Sequence, residues 1–290
     1  GTENFMSDLS RSVAIVGVAE SDEIGKIENK SNLQLHAEAA YNAIEDAGME
    51  ASDIDGIITA GTSTLNTAEF MGLTNIKYTD STAVGGSSFE IHIAHAMAAI
   101  NAGYCETVLV THGEAGRSAR NRPGPNLSDP ASQYEIPYGF IGMPINYSMA
   151  CMRYMHLYGE ERTRQALAEI AVSTRKWAIK NPKAYMKDPM TFDDYHESRW
   201  ISWPFHLFDC CLVTDGGGAY IVTKKEIANT LPKKPVWVLG VSEGHDHGII
   251  SQMPDLTRTT ARNTGPAALK MSGLTHDDID LAMIYDSFTY

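Results

Sequence analysis

Ala47-Gly48-Met49-Glu50-Ala51-Ser52-Asp53-Ile54-Asp55-Gly56-Ile57-Ile58 returns late in the chain as Ser272-Gly273-Leu274-Thr275-His276-Asp277-Asp278-Ile279-Asp280-Leu281-Ala282-Met283. Gly48 matches Gly273 and Asp53-Ile54-Asp55 matches Asp278-Ile279-Asp280, at an offset of 225 in both cases. Each copy follows a helical stretch, Leu35 to Asp46 and Ala261 to Met271. Each then carries a glycine where a helix C-cap calls for positive φ, a short acidic link and an apolar strand. Solenoid repeats recur at far shorter periods, up to about 50 residues. The repeat therefore predicts two related α/β halves in one polypeptide, the second starting too late for a full copy to fit.

The length of 290 residues suffices to bury a large core. Hydrophobic residues make up 43% and charged residues 20%, an ordinary globular balance. The formal net charge of −13 argues against a nucleic-acid partner. It leaves room for an anionic small ligand at a helix N-terminus. No apolar run has the length of a membrane span, and no secretory signal is recognised. Gly1 to Phe5 reads as a cloning remnant ahead of a natural start at Met6. Cys105, Cys151, Cys210 and Cys211 lack metal-ligand spacing, and the adjacent pair does not favour a bridge. This cysteine usage predicts a reduced, cytoplasmic protein.

Arg11 to Ala19 is a continuous apolar run, as for a strand covered on both faces. Asn32 to Ala47 is amphipathic, with Leu33, Leu35, Ala39, Ala43 and Ile44 inward. Asp55 to Thr59 is the next strand. The small-residue turn Ala83-Val84-Gly85-Gly86-Ser87-Ser88 leads into an alanine-rich helix, Phe89 to Ala102, apolar almost all round. Glu106 to Glu114 is a strand running into a loop. This alternation predicts right-handed βαβ units and a largely parallel sheet. From Gly116 to Tyr147, Pro123, Gly124, Pro125, Asn126, Pro130, Pro137, Gly139, Gly142 and Pro144 predict an irregular segment. Ile145 to Tyr158 and Arg162 to Lys180 read as helices, and Asp188 to Trp200 as turn, short helix and link. Thr214 to Gly218 reads as a turn before a strand at Ala219 to Thr223. Val236 to Ser242 is a further strand.

The turn, the alanine-rich helix, Asn101-Ala102-Gly103 and the strand ending in His112-Gly113-Glu114 together resemble the nucleophile region of the thiolase superfamily. So do Leu207-Phe208-Asp209-Cys210-Cys211-Leu212-Val213-Thr214-Asp215-Gly216 and Tyr285-Asp286-Ser287-Phe288. The likeness covers essentially the whole chain and is nearest to sterol-carrier-protein-type thiolases and their lipid-transfer-protein relatives. It implies an α/β, thiolase-like layered fold. Two pseudo-symmetric βαβαβ halves would be present, the second truncated, with an irregular loop and helical insertion. The implied division is 6–115 with 205–242 as the N-terminal half, 116–204 as the insertion, and 243–290 as the start of the C-terminal half, after the remnant at 1–5.

The departures from the family pattern carry the functional expectation. Thiolases hold a cysteine in the turn before the buried helix, where the helix dipole favours the thiolate. Counted back from Gly103, that slot is Gly86, followed by Ser87-Ser88. Glycine cannot be acylated, and Ser87 is a poor nucleophile without a base. The family's His-Asp-Cys-Phe stands here as Tyr285-Asp286-Ser287-Phe288, and its Gly-His-Pro element would lie beyond Tyr290. What remains is a helix N-terminus whose N–H groups can hold a thioester carbonyl as it becomes enolate-like. A retro-aldol cleavage needs that donor set and an acid/base such as a tyrosine of lowered pKa. The resemblance implies a branch of steroid side-chain aldolases. These act on a bulky β-hydroxyacyl-CoA together with a small OB-fold and zinc-ribbon partner.

The expected site residues are Tyr285, Gly86, Ser87 and His112. No metal and no covalently bound cofactor is expected, coenzyme A entering only as part of the substrate. The expected assembly is a homodimer, pairing or packing through Glu106 to Thr111, with no nucleic acid and no membrane span. The competing readings are a thiolase-like acyltransferase and a non-catalytic acyl-CoA-binding subunit. His92 and His95 read as neutral core or interface histidines, Gly244-His245-Asp246-His247-Gly248 as a polar loop, and Cys210-Cys211 as core packing.

Overall fold

The computed structural model describes residues 8–119, 126 and 128–290. The remnant expected at Gly1 to Phe5, the start at Met6 and the breakers Pro123, Gly124 and Pro125 lie outside the described residues. In chain order the first elements are β1 (Val13–Glu20), α1 (Asn32–Ala47), β2 (Gly56–Ile58), α2 (Thr64–Phe70), β3 (Tyr78–Asp80), α3 (Ser88–Asn101) and β4 (Thr107–Ala115). Then come α4 (Pro130–Tyr134), α5 (Met143–Tyr158), α6 (Glu160–Lys180), α7 (Phe192–Glu197), β5 (Trp200–Ser202) and β6 (Phe205–His206). The last are β7 (Asp215–Lys224), α8 (Lys225–Ala228), β8 (Val236–Trp237) and α9 (Ala261–Ser272). The chain divides into two compact units. One holds 1–120, 214–243 and 263–283; the other holds 121–213, 244–262 and 284–290.

In the first unit six strands form one sheet in the order β3-β2-β4-β7-β1-β8. Only β2 with β3 and β2 with β4 pair in parallel. The contacts β4–β7, β7–β1 and β1–β8 are antiparallel, so the sheet is mixed rather than largely parallel. The cause is β7, which enters after the long excursion past residue 116 and inserts between β4 and β1, opposed to both. The central strands are buried on both faces, and successive residues divide between them as the two-residue period requires. Leu109 packs with Ala40, Ala43 and Ile44 of α1. Val108 and Val110 pack with Ala96, Met97 and Ala99 of α3.

The three glycines expected to turn before β7 are part of that strand. A Cβ on Gly217 would stand 2.5 Å from the Leu35 carbonyl oxygen, and one on Gly113 would stand 2.3 Å from the His36 nitrogen. Bare backbone at these two points lets α1 lie directly on β4 and β7. Residues 238–242, expected as strand, are not one. A Cβ on Gly240 would stand 2.2 Å from the Ala268 oxygen, so there the chain runs close under α9.

The repeat is structural. Gly48 and Gly273 both take left-handed conformations, with φ of 67° and 71°. In each copy the following link closes the same hydrogen bond at 2.8 Å, Glu50 N to Asp53 Oδ2 and Thr275 N to Asp278 Oδ2. The copies then diverge. Gly56, Ile57 and Ile58 are buried as β2, whereas Leu281 and Met283 are 89% and 99% exposed and outside any strand.

The second unit is mainly helical. Its core joins Cys151 and Met155 of α5, Leu167, Ala168, Ala171 and Val172 of α6, and Tyr195, Phe205 and Phe288. Prolines expected only to break structure here also begin it. Pro130 opens α4 behind the Asp129 cap, and Pro144 lies in the first turn of α5, so that helix starts two residues before the expected Ile145. Gly159, at φ 103°, separates α5 from α6.

Candidate active site

The turn before α3 is built from Asp80, which ends β3. Its Oδ1 accepts the N–H and the hydroxyl of Thr82, both at 2.8 Å. Gly85 follows at φ 87°, a conformation glycine adopts freely. Ser88 Oγ accepts from Val84 N at 2.8 Å and donates to the Gly85 carbonyl at 2.6 Å, closing the turn. The helix thus starts at Ser88, one residue before the expected Phe89, with Ser87 as its cap. Gly86 is exposed and Ser87 half-buried. Among the described residues, the N–H groups of these two find no acceptor. They remain available to a ligand oxygen.

Histidines gather around Phe89 in the first turn of α3. The ring of His112, on β4, lies 5.0 Å from Phe89 and 5.7 Å from His36. Its Nε2 is 3.7 Å from Glu114 Oε2, and its buried Nδ1 has no partner among the described residues. Burial lowers its pKa against the pull of Glu114, which keeps the imidazole neutral. His36 is fully buried, both ring nitrogens lack partners among the described residues, and burial with the nearby His112 brings its pKa down to about 4. His92 donates from Nε2 to the Thr82 carbonyl at 2.9 Å, and burial again lowers its pKa. His95 departs from the neutral expectation. It lies between Asp80 and Glu243, and its pKa is raised.

The terminal segment is anchored within the second unit. Cys211 N donates to the Ser287 carbonyl at 3.0 Å and Thr289 N to the Asp209 carbonyl at 3.0 Å. Phe288 stacks on Phe205 with ring centres 5.2 Å apart and planes 8° from parallel. The segments 207–216 and 285–288, singled out separately in the sequence, are therefore hydrogen-bonded neighbours. Tyr285 is 53% exposed, and Ser287 Oγ donates to its hydroxyl at 3.2 Å. Gly86, Ser87 and His112 share the first unit, joined through Phe89, while Tyr285 belongs to the second.

No cysteine stands in the turn. Burial pushes the Cys105 and Cys151 thiols up to about 12 and Cys210 to about 11, the reverse of what a thiolate nucleophile needs. Cys210 is half-buried at the edge of the second unit's core, but Cys211 is exposed, so only one of the pair is a packing residue. Among the described residues no group of three or more His, Cys, Asp or Glu could hold a metal ion, and no helix is long and apolar enough to cross a membrane. An open cleft of about 580 Å³ lies in the second unit, against Glu160, Arg164, Glu169, Phe192 and His196. None of the expected site residues lines it.

Residues 242–290 match the family described as Thiolase C-terminal domain-like. Over 306 residues the chain is 33% identical to a steroid side-chain-cleaving aldolase of Thermomonospora curvata, covering 98% of this chain and 76% of that one. The chain belongs to the thiolase superfamily. A second relative, the 17-hydroxy-3-oxo-4-pregnene-20-carboxyl-CoA lyase of Mycobacterium tuberculosis, is 30% identical over 298 residues, covering 97% of this chain and 76% of the lyase. The solved Ltp2-ChsH2(DUF35) aldolase superposes with a TM-score of 0.88 at 32% identity, over 97% of this chain and 75% of that one. This thiolase-superfamily chain thus spans about three quarters of the length of the relatives it matches.

The sequence missed His36, because it follows Leu35 on the inward face of α1 and nothing local marks a buried imidazole there. It also missed the pairing of His95 with Glu243, which are 148 residues apart.

Proposed function

We propose that this chain is an acyl-CoA-dependent carbon–carbon lyase of thiolase fold, a retro-aldolase acting on a bulky, steroid-like β-hydroxyacyl-CoA. The observation that carries the reading is its 33% identity, along nearly its whole length, to a steroid side-chain-cleaving aldolase. The chemistry at the turn agrees, since the thiolase cysteine slot is Gly86 and three of the four thiols are pushed away from ionisation.

In this reading a base removes the β-hydroxyl proton, the Cα–Cβ bond breaks to leave a ketone, and its electron pair enters the thioester as an enolate. The Gly86 and Ser87 N–H groups at the start of α3 stabilise that oxygen. A proton returned to Cα completes the acyl-CoA product. Tyr285 is the proposed acid/base for the hydroxyl, and the neutral His112 imidazole the proposed proton carrier near the turn. Coenzyme A enters as part of the substrate, and no other cofactor is required.

The proposed active form is a cytoplasmic homodimer with a small OB-fold and zinc-ribbon partner. The partner is supported by the ChsH2 component named in the similar solved aldolase, and the reducing setting by four free cysteines. Strand pairing across the dimer is not available at Val108–Val110, where both edges of β4 are occupied by β2 and β7, which leaves packing as the contact. The test is retro-aldol cleavage of a steroid β-hydroxyacyl-CoA by this chain with such a partner. Tyr285→Phe should lower kcat with little change in KM. An unchanged kcat would remove Tyr285 from the chemistry.

A further inference from the structure

His95 has a carboxylate against each of its ring nitrogens. Asp80 Oδ2 meets Nδ1, and Glu243 Oε2 lies 2.8 Å from Nε2. A neutral imidazole has one N–H and one lone pair, whereas an ionised carboxylate only accepts. The neutral ring would therefore turn a lone pair toward one of the two carboxylates. The imidazolium donates to both, and such charge-assisted bonds are the stronger kind. The Asp80 side of the contact is sheltered, with His95 22% and Asp80 16% exposed, so solvent screens it poorly, while Glu243, 34% exposed, closes the open side.

The contact continues toward the turn. Asp80 Oδ1 accepts the N–H and the hydroxyl of Thr82. The Thr82 carbonyl accepts from His92, one turn before His95 on α3. A connected path thus runs from Glu243 through His95 and Asp80 to Thr82, where the backbone enters the Gly85-Gly86-Ser87 turn.

We propose that His95 is a positioning residue: as an imidazolium it clamps Asp80 to Glu243 and so fixes the Thr82–Ser88 turn that presents the Gly86 and Ser87 N–H groups. Its catalytic consequence rests on the retro-aldolase reading, but the clamp itself does not. The titratable groups facing the ring are Asp80, Glu243 and His92, with Tyr78 donating to Asp80 at 3.5 Å. Burial, the largest single influence on His95, works against the cation. The two carboxylates together outweigh it, and the ring holds its proton above its usual range. The turn is then held at neutral pH and released as alkali removes that proton.

The test is a histidine side-chain ¹H–¹⁵N titration of the whole chain, wild type and Glu243→Gln, read beside the backbone amides of Gly85 to Ser88. Both His95 nitrogens should carry protons at pH 7.0. Glu243→Gln should lower the His95 midpoint by about one pH unit, and the turn amides should shift with that same midpoint. A neutral His95 at pH 7.0, or a midpoint unmoved by Glu243→Gln, overturns the clamp. Turn amides that ignore the His95 titration overturn the positioning role, whether or not the protein proves to be a lyase. Where cleavage is measured, the alkaline limb of kcat should move down in pH by the same amount in Glu243→Gln. A limb that stays in place refutes the catalytic consequence while leaving the clamp standing.

Discussion

The Tyr195 hydroxyl donates to both carboxylate oxygens of Asp209, at 2.9 and 2.8 Å, in the buried floor of the second unit. Asp209 also accepts from His206 N at 2.6 Å and from the Thr289 hydroxyl. One carboxylate thereby ties α7, the turn after β6 and the terminal segment carrying Tyr285 and Ser287. Burial, and then Asp209 itself, raise the Tyr195 pKa, so the phenol remains a donor.

Asp209→Ala removes the shared acceptor and strands several buried donors. We expect a loss of about 3 kcal/mol in urea unfolding. Tyr195→Phe removes one donor and should cost less. A loss below about 1 kcal/mol for Asp209→Ala would show that these bonds do not hold the segment.

Gly217 and Gly113 are where α1 approaches the sheet backbone. A methyl group at either meets backbone atoms, which cannot swing aside as the end of a flexible side chain can. Gly217→Ala should destabilise the chain by about 3 kcal/mol. Gly216→Ala, whose nearest neighbours stand at 3.6 Å, should be milder. Equal melting temperatures for the two variants would contradict this packing.

His36 is a buried neutral base. Its folded pKa of about 4 lies below the ordinary 6.5, so the unfolded chain takes up this proton first as pH falls. The stability it contributes is complete above pH 6.5 and is lost progressively toward pH 4, by roughly 3 kcal/mol. His36→Phe should flatten that part of the stability curve. An unchanged pH dependence between 6.5 and 4 would mean that His36 is hydrated or already protonated.

The Gly48 and Gly273 repeat, and the helices and strands read at 11–59 and 89–114, were legible because each is local, whereas α2 and β3 between them were not read. A glycine at a helix end, a helical or strand period, and one residue at a counted offset each leave a mark in sequence. The mixed sheet was not legible, because nothing in Asp215–Lys224 states which strands it will join. Gly216-Gly217-Gly218 looks like a turn until α1 is known to lie against it. Among the candidate site residues, Gly86 and Ser87 follow from helix-start grammar. His112 was picked out at the end of its strand, but the states of His36 and His95 were not legible, because they are set by burial and by partners far away in sequence.

Cys211 is the exposed cysteine, whereas burial raises the thiols of Cys105, Cys151 and Cys210. Iodoacetamide at pH 7.5 should label the native protein once, at Cys211, and leave lyase activity intact. Rapid inactivation through a different cysteine would revive an acyl-enzyme mechanism.

Free coenzyme A separates the two chemistries of this fold most directly. Thiolysis consumes one coenzyme A for each carbon–carbon bond broken, whereas retro-aldol cleavage of a β-hydroxyacyl-CoA consumes none. With the proposed partner present, a steroid β-hydroxyacyl-CoA should yield ketone and shortened acyl-CoA in equal amounts, with no coenzyme A added and none taken up. Cleavage that requires coenzyme A and consumes it one for one, with a 3-ketoacyl-CoA as the better substrate, would contradict the account.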